Sequence, residues 1–253
     1  MILVLAGTKD SREVIAKLKQ NGSSIIASVT TEYGANLLSD LDIIVKQEKL
    51  DDAKMKQLLR DYEVDTIIDV THPFAVTISK TALEVSAKSN IKYIRFERGS
   101  IESREHELLI KVNSYQEAAR KAKEFEKILL TIGSKNLDYF TAEIEDWQQR
   151  LLARVLPNWK FIKRVQELGF SPQNLIAMQG PFSKQLNQVL LEDYEIDLLV
   201  TKASGKTGGV DTKLEAALEL DIPVLLITRP ELDYNNLVKN YQELLQEVKR
   251  GEH

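Results

Sequence analysis

The chemistry in this chain is concentrated just beyond its short apolar runs. Basic side chains follow those runs one after another: Arg12, Arg95, Arg98, Lys135, Arg154, Lys202, Lys206 and Lys213. Beside them stand small or amide residues, namely Gly7-Thr8 with Ser11, Gly133-Ser134 with Asn136, Gln179-Gly180-Pro181, and Ser204-Gly205. Small residues let a ligand approach the backbone, and open N–H groups at a helix start attract anions. In a chain whose formal charge is −4, so many cations in such positions call for a ligand with many anionic groups. His72, which follows a strand and precedes Pro73, serves either acid–base chemistry or a structural hydrogen bond, Lys213 is a second candidate for proton transfer, and Asp69 is either a carboxylate base or a helix cap.

Composition removes several other chemistries. The 253 residues include no cysteine, so thiolate catalysis, disulfides and Cys-ligated metal sites are excluded. The histidines are His72, His106 and His253, too few for a His-rich metal centre, and no metal site is expected. Lys plus Arg number 34 against 38 Asp plus Glu, which argues against a nucleic-acid binder acting through overall charge. The opening MILVLAGTKDSRE has an apolar run too short for a signal peptide or a membrane span, so a cytoplasmic protein is expected. No GxGxxG fingerprint occurs. The KASGKTGG stretch at 202–209 has Thr201 where a P-loop needs its first glycine, so it reads as a Gly-rich anion loop or lid.

The elements that must carry these residues alternate along the chain. Apolar runs at 2–6, 24–29, 43–45, 66–70 and 92–96 read as strands, with helical patterns at 10–20, 54–62 and 75–89 between them. The pattern restarts with a charged helix at 114–126. Strands at 127–131, 151–156, 174–178, 197–201 and 224–227 follow, with helices at 159–168, 184–193 and 213–220. A polar closing helix at 235–249 is expected outside the core. Such alternation describes parallel βαβ units buried on both faces. The expected fold is α/β: two Rossmann-like (flavodoxin-like) parallel-sheet domains, 1–105 and 106–253, with a cleft between them. Ligands in open parallel sheets bind beyond the carboxyl ends of the strands.

One comparison separates the halves. Where the second strand of such a fold ends, an acidic residue favours a free ribose 2′-hydroxyl and a basic one accommodates a 2′-phosphate. The first half has Thr30-Thr31-Glu32 near that point and the second has Arg154. Gly133-Ser134 after the preceding strand suits a pyrophosphate. NADPH is therefore expected on the second half, leaving Arg12, Arg95 and Arg98 for an acidic substrate.

The segments ILVLAGTKDSREVIAKL, DVTHPFA, YIRFER, ILLTIGSKNL, RVLP, MQGPFS with Asn187, LLVTKASGKTGG and IPVLLITRP, in this order, resemble the precorrin-6A reductase family of corrin-ring biosynthesis, including its cobalt-precorrin-6A branch. The resemblance implies a substrate domain and a coenzyme domain, with edge strands open to exchange between the sheets. It implies NADPH-dependent reduction of one double bond in a polycarboxylate tetrapyrrole, hydride going to ring carbon C19 and a proton to C18. Applied to this chain, it places the coenzyme near Gly133, Ser134, Asn136, Arg154, Gln179, Gly180, Pro181, Ser204 and Gly205. The substrate falls near Gly7, Thr8, Ser11, Arg12, Arg95, Arg98, Lys135 and Lys202, with His72, Lys213 or an ordered water as proton donor. Any cobalt arrives inside the substrate. Gly99 stands where the family usually has proline, and Thr212 where an acidic residue is common. The competing readings are a two-lobed enzyme of another kind, such as a tetrapyrrole cyclase or nucleotide-sugar transferase, and a non-catalytic binder of anionic ligands.

Overall fold

A computed structural model describes residues 1–98, 105–204, 209–230 and 232–250. Its strands, in chain order, are β1 (Ile2–Leu5), β2 (Ile25–Val29), β3 (Ile44–Gln47), β4 (Thr66–Asp69), β5 (Lys92–Phe96), β6 (Leu109–Val112), β7 (Ile128–Leu130), β8 (Leu151–Val155), β9 (Leu175–Ala177), β10 (Leu198–Lys202), β11 (Val224–Ile227) and β12 (Leu237–Val238). They form two six-stranded sheets, ordered β12-β5-β4-β1-β2-β3 and β6-β11-β10-β7-β8-β9, with every pairing parallel. Each has the 3-2-1-4-5-6 order of a Rossmann sheet rather than the flavodoxin order. The sixth position is filled by exchange. The strand after β5 joins the second sheet as β6, and the strand after β11 returns to the first as β12.

The chain divides into one unit of Met1–Gly99 with Pro230–His253 and another of Ser100–Arg229. Residues 230–253, assigned from sequence to the second domain, thus belong to the first unit. The closing helix is corrected as well. Residues 237–238 are strand, and α11 (Tyr241–Lys249) begins only at its Asn240 cap. Its Leu244 is buried in the core of the first sheet with Val238, Val14, Ile15 and Leu18, so the helix is not peripheral.

Local sequence explains the helices that position the strand ends, while α2 (Glu32–Asn36), α5 (Tyr115–Ala122), α6 (Asp138–Glu143) and α7 (Trp147–Arg150) are the remaining α-helices among the described residues. α1 (Lys9–Gln20) starts with a capping box: Thr8 Oγ1 accepts from Ser11 N–H at 3.1 Å, and Ser11 Oγ accepts from Thr8 N–H at 3.2 Å. The opposite face of the first sheet is covered by α3 (Asp52–Asp61) and α4 (Val76–Ser89), through Met55, Leu58, Leu59, Ala82 and Val85. In the second unit α8 (Trp159–Glu167) follows β8, and α9 (Lys184–Asp193) is capped by Ser183. α10 (Val210–Glu219) follows Gly209 at φ +62°. Leu191 of α9 and Val210, Leu214 and Ala217 of α10 pack on Leu129, Leu152, Leu199 and Leu226 of the sheet. No helix among the described residues is long and apolar enough to cross a membrane.

Candidate functional site

In both sheets the strand order reverses beside the first strand of the unit, between β1 and β4 and between β7 and β10. The carboxyl ends flanking that reversal are the ligand sites of such folds. The two units furnish theirs differently.

In the first unit the expected ligand groups are largely engaged by the protein itself. Ser11 is buried; its Oγ accepts from Gly7 N–H and Thr8 N–H and donates to Thr8 C=O, while Thr8 Oγ1 donates to Val70 C=O. Arg12, on the exposed side of α1, is paired with Asp40. Arg98 is paired with Asp10 and Glu13 and bonds Tyr241 Oη. The hydrogen bond from Tyr241, with that from Arg98, holds Glu13 below the usual carboxylate range. Arg95 is fully buried, which corrects its reading as a substrate anchor. Its guanidinium bonds Asp69 Oδ1 at 2.8 Å, Glu97 Oε2 at 3.1 Å and Thr71 C=O at 3.1 Å. Tyr93 Oη donates to the other oxygen of Asp69, also at 2.8 Å, and Tyr234 lies over the guanidinium. Burial opposes the charge of Arg95, but Asp69 and Glu97 outweigh it and raise its pKa. Asp69 is therefore the counter-charge of Arg95, neither a free base nor a cap. His72 Nδ1 accepts from Phe74 N–H at 3.2 Å.

The second unit presents the reverse electrostatics. Gly133, at φ +83° after β7, opens a short turn, Ser134–Asn136, with Ser134 buried and Lys135 exposed. Arg164 of α8 donates to the carbonyls of Ser134 and Lys135 and so braces that turn. Arg154, near the end of β8, is only 7% exposed; its Nη1 donates to Asn187 Oδ1 at 2.9 Å, and its guanidinium stands 4.7 Å from the Phe182 ring centre. Among the described residues it has no carboxylate partner. Burial lowers its pKa. Lys202 ends β10, where burial and then Lys135 lower its pKa. Lys213, also 7% exposed, lies on the apolar stripe of α10 with Val210, Leu214 and Ala217. Burial first, then Arg154 and Lys202, push it down to about 7. Gln179 and Pro181 are exposed beyond β9, Gly180 and Ser204 are half-buried, and Gly205 and Lys206 lie outside the described residues. Among the described residues there is no group of His and carboxylates able to hold a metal ion.

Arg154 and Lys213, buried, mutually repelling and without a carboxylate partner among the described residues, fit an anionic coenzyme or substrate. Sequence reasoning missed the Phe182 ring, the Arg164 brace and Thr201. Thr201 Oγ1, on fully buried Thr201 of β10, has no hydrogen-bond partner among the described residues. Aligning the ends of β8 and β10 by register was the signal that could have found it.

The chain is similar over nearly its whole length to known proteins of one family. Residues 1–249 match the family described as precorrin-6x reductase CbiJ/CobK. A cobalt-precorrin-6A reductase of Priestia megaterium is 38% identical over 97% of this chain and 96% of its own length. One from Methanocaldococcus jannaschii is 38% identical over 98% and 97%. A solved structure described as CobK precorrin-6A reductase has the same fold, with a TM-score of 0.78 at 23% identity over 99% of this chain and 96% of that one.

Proposed function

The chain belongs to the precorrin-6x reductase family, and from that membership we propose that it uses NADPH to reduce one ring double bond of cobalt-precorrin-6A. It is an oxidoreductase acting on a CH–CH bond with a nicotinamide coenzyme, which sets aside the cyclase, transferase and non-catalytic readings. The cobalt-bearing substrate is supported by the two 38% identical relatives, both cobalt-precorrin-6A reductases. A cytoplasmic setting is retained as part of the proposal.

The observation that carries the coenzyme assignment is the pair of buried cations Arg154 and Lys213 on the second unit, which have no carboxylate partner among the described residues. Arg154 stands at the end of the second strand of its sheet, where a basic residue accommodates a 2′-phosphate. NADPH rather than NADH follows. Gly133, Ser134 and Asn136 would meet the pyrophosphate, with Gln179, Gly180, Pro181, Ser204 and Gly205 as the remaining coenzyme contacts. Lys135 and Lys202 would take substrate carboxylates as charge-assisted pairs. Arg12 and Arg98 would do so by exchanging Asp40, and Asp10 with Glu13, for substrate, near Gly7 and Thr8. When bound, the nicotinamide supplies the hydride that goes to C19. The accompanying proton, added at C18, comes from His72, Lys213 or an ordered water. The protein's part is to hold the ring and deliver that proton.

The test is to mix protein, NADPH and cobalt-precorrin-6A and follow nicotinamide oxidation together with the mass of the corrinoid. Stoichiometric oxidation with a product heavier by one hydrogen pair is expected. Folded protein that oxidises no NADPH in the presence of substrate overturns the proposal.

A further inference from the structure

Register brings a third polar group to the two buried cations. Ala153 of β8 and Val200 of β10 both pair with Leu130 of β7. Arg154 and Thr201 each follow by one residue, so they stand in one row across the sheet and leave it on the same face. That face is the one covered by α9 and α10. Arg154 bonds Asn187 of α9, and Leu226, the β11 partner of Thr201, packs among the α10 residues. Lys213 projects from the core-facing stripe of α10. Beneath α9 and α10 there are thus two cations without counter-charge and a buried hydroxyl without a partner, among the described residues. Burying any one of these alone is costly, and a single anion would satisfy all three.

We propose that Arg154, Thr201 and Lys213 form one buried receptor for a doubly charged phosphate monoester, filled by the 2′-phosphate of the coenzyme. The proposal rests on placing the coenzyme on the second unit and assigns Lys213 to binding, which leaves His72 or an ordered water for the proton. Two full cations match a dianion, and the hydroxyl supplies a third donor. Asn187 fixes Nη1 of Arg154 by accepting from it, so the guanidinium is oriented before any ligand arrives. The groups around Lys213 agree. Arg154 of β8 and Lys202 of β10 both oppose its charge. Across the contact of α9 with α10, Lys184 is paired with Glu219 and drawn also to Glu215. Asp211 lies two positions from Lys213 along α10, on a different side of the helix. An arriving dianion reverses the balance at Lys213, so binding above neutral pH takes up a proton there.

Two sources share this chemistry, the coenzyme 2′-phosphate and a pair of substrate carboxylates. Calorimetric titration of the full chain with 2′,5′-ADP, 5′-ADP and uroporphyrin, a polycarboxylate macrocycle, separates them. Lys213→Met and Thr201→Val are each expected to weaken 2′,5′-ADP by roughly tenfold or more and to leave 5′-ADP unchanged. Thr201→Val removes an orphan hydroxyl, so its melting temperature should not fall, which separates binding from folding. Proton uptake with 2′,5′-ADP should disappear in Lys213→Met. Unchanged 2′,5′-ADP affinity in both variants overturns the receptor, while Arg154→Ala still tests the coenzyme placement by itself. Variants that lose uroporphyrin yet keep 2′,5′-ADP overturn it in favour of a carboxylate site. A wild-type chain that binds neither adenine nucleotide overturns the coenzyme placement and the receptor with it.

Discussion

Lys213 has a measurable consequence for stability. Its folded pKa of about 7 lies below the 10.5 of an ordinary lysine, because burial, Arg154 and Lys202 all disfavour the charge. The folded state therefore binds fewer protons than the unfolded one between those values, and stability rises with pH across the window. The penalty is fully present below pH 7 and fades toward the ordinary lysine value. Lys213→Met should thus raise the unfolding free energy near neutral pH by about 2–4 kcal/mol and by much less near pH 10, as urea unfolding at the two pH values will show. Arg95 gives the opposite case. Asp69→Asn leaves a buried guanidinium without its main counter-charge, with an expected loss of about 3–5 kcal/mol in the same assay. At Arg154 the expected effect is on binding. Arg154→Ala should raise the KM for NADPH by about tenfold or more and leave that for NADH nearly unchanged, and equal losses for both would remove its phosphate role. The contrast among these residues marks what sequence can reveal. The cations and their positions after strands were legible from residue type and local pattern. Which of them are neutralised was not, because Asp40 lies 28 residues from Arg12 and Asp69 lies 26 from Arg95. Only the folded sheet brings those pairs together.

At the scale of elements, the long apolar runs identified most strands and helices within a residue or two. β6 and β12 escaped for a physical reason. In each, only the end residues or a single residue are buried, so neither shows the continuous apolar run of a central parallel strand. Both are edge strands whose place is set by a partner far along the chain: β12 pairs with Arg95-Phe96, and β6 with Val224–Ile227. The closing helix was misjudged similarly, since its apolar stripe is short and its value depends on a groove built by α1 and β5. Leu244 carries that docking, at 1% exposure against Val14, Leu18 and Phe96. Leu244→Ala should therefore cost about 2–5 kcal/mol, the range for a buried leucine. Amide exchange should accelerate in β5, β12 and α11 before it does in β7, β8 or β10. Uniform acceleration in both sheets would contradict the assignment of the tail to the first unit.

The whole molecule has a contiguity that its two-sheet description conceals. The second unit is one unbroken segment, because its sixth strand, β6, precedes the rest, whereas the first unit is built from both ends of the chain. Removing residues 230–253 deprives the first sheet of its edge strand and of Val238, Tyr241 and Leu244 in its core. It takes nothing from the hydrophobic cluster under α9 and α10. Arg154 and Lys213, without carboxylate partners among the described residues, also belong to the unbroken segment, while Arg12, Arg95 and Arg98 of the first unit are each matched by carboxylates from their own unit. Folding autonomy and anion binding should accordingly travel together. A fragment spanning 100–229 is expected to unfold cooperatively in urea and to bind 2′,5′-ADP within about tenfold of the full chain. A fragment of 1–98 should not fold cooperatively until a 230–250 peptide is added, since parallel edge pairing and Leu244 burial come only from that peptide. Circular dichroism with and without the peptide reads this directly. If 1–98 folds alone while 100–229 does not, the exchanged strands contribute little, and the unit that governs stability has been misidentified.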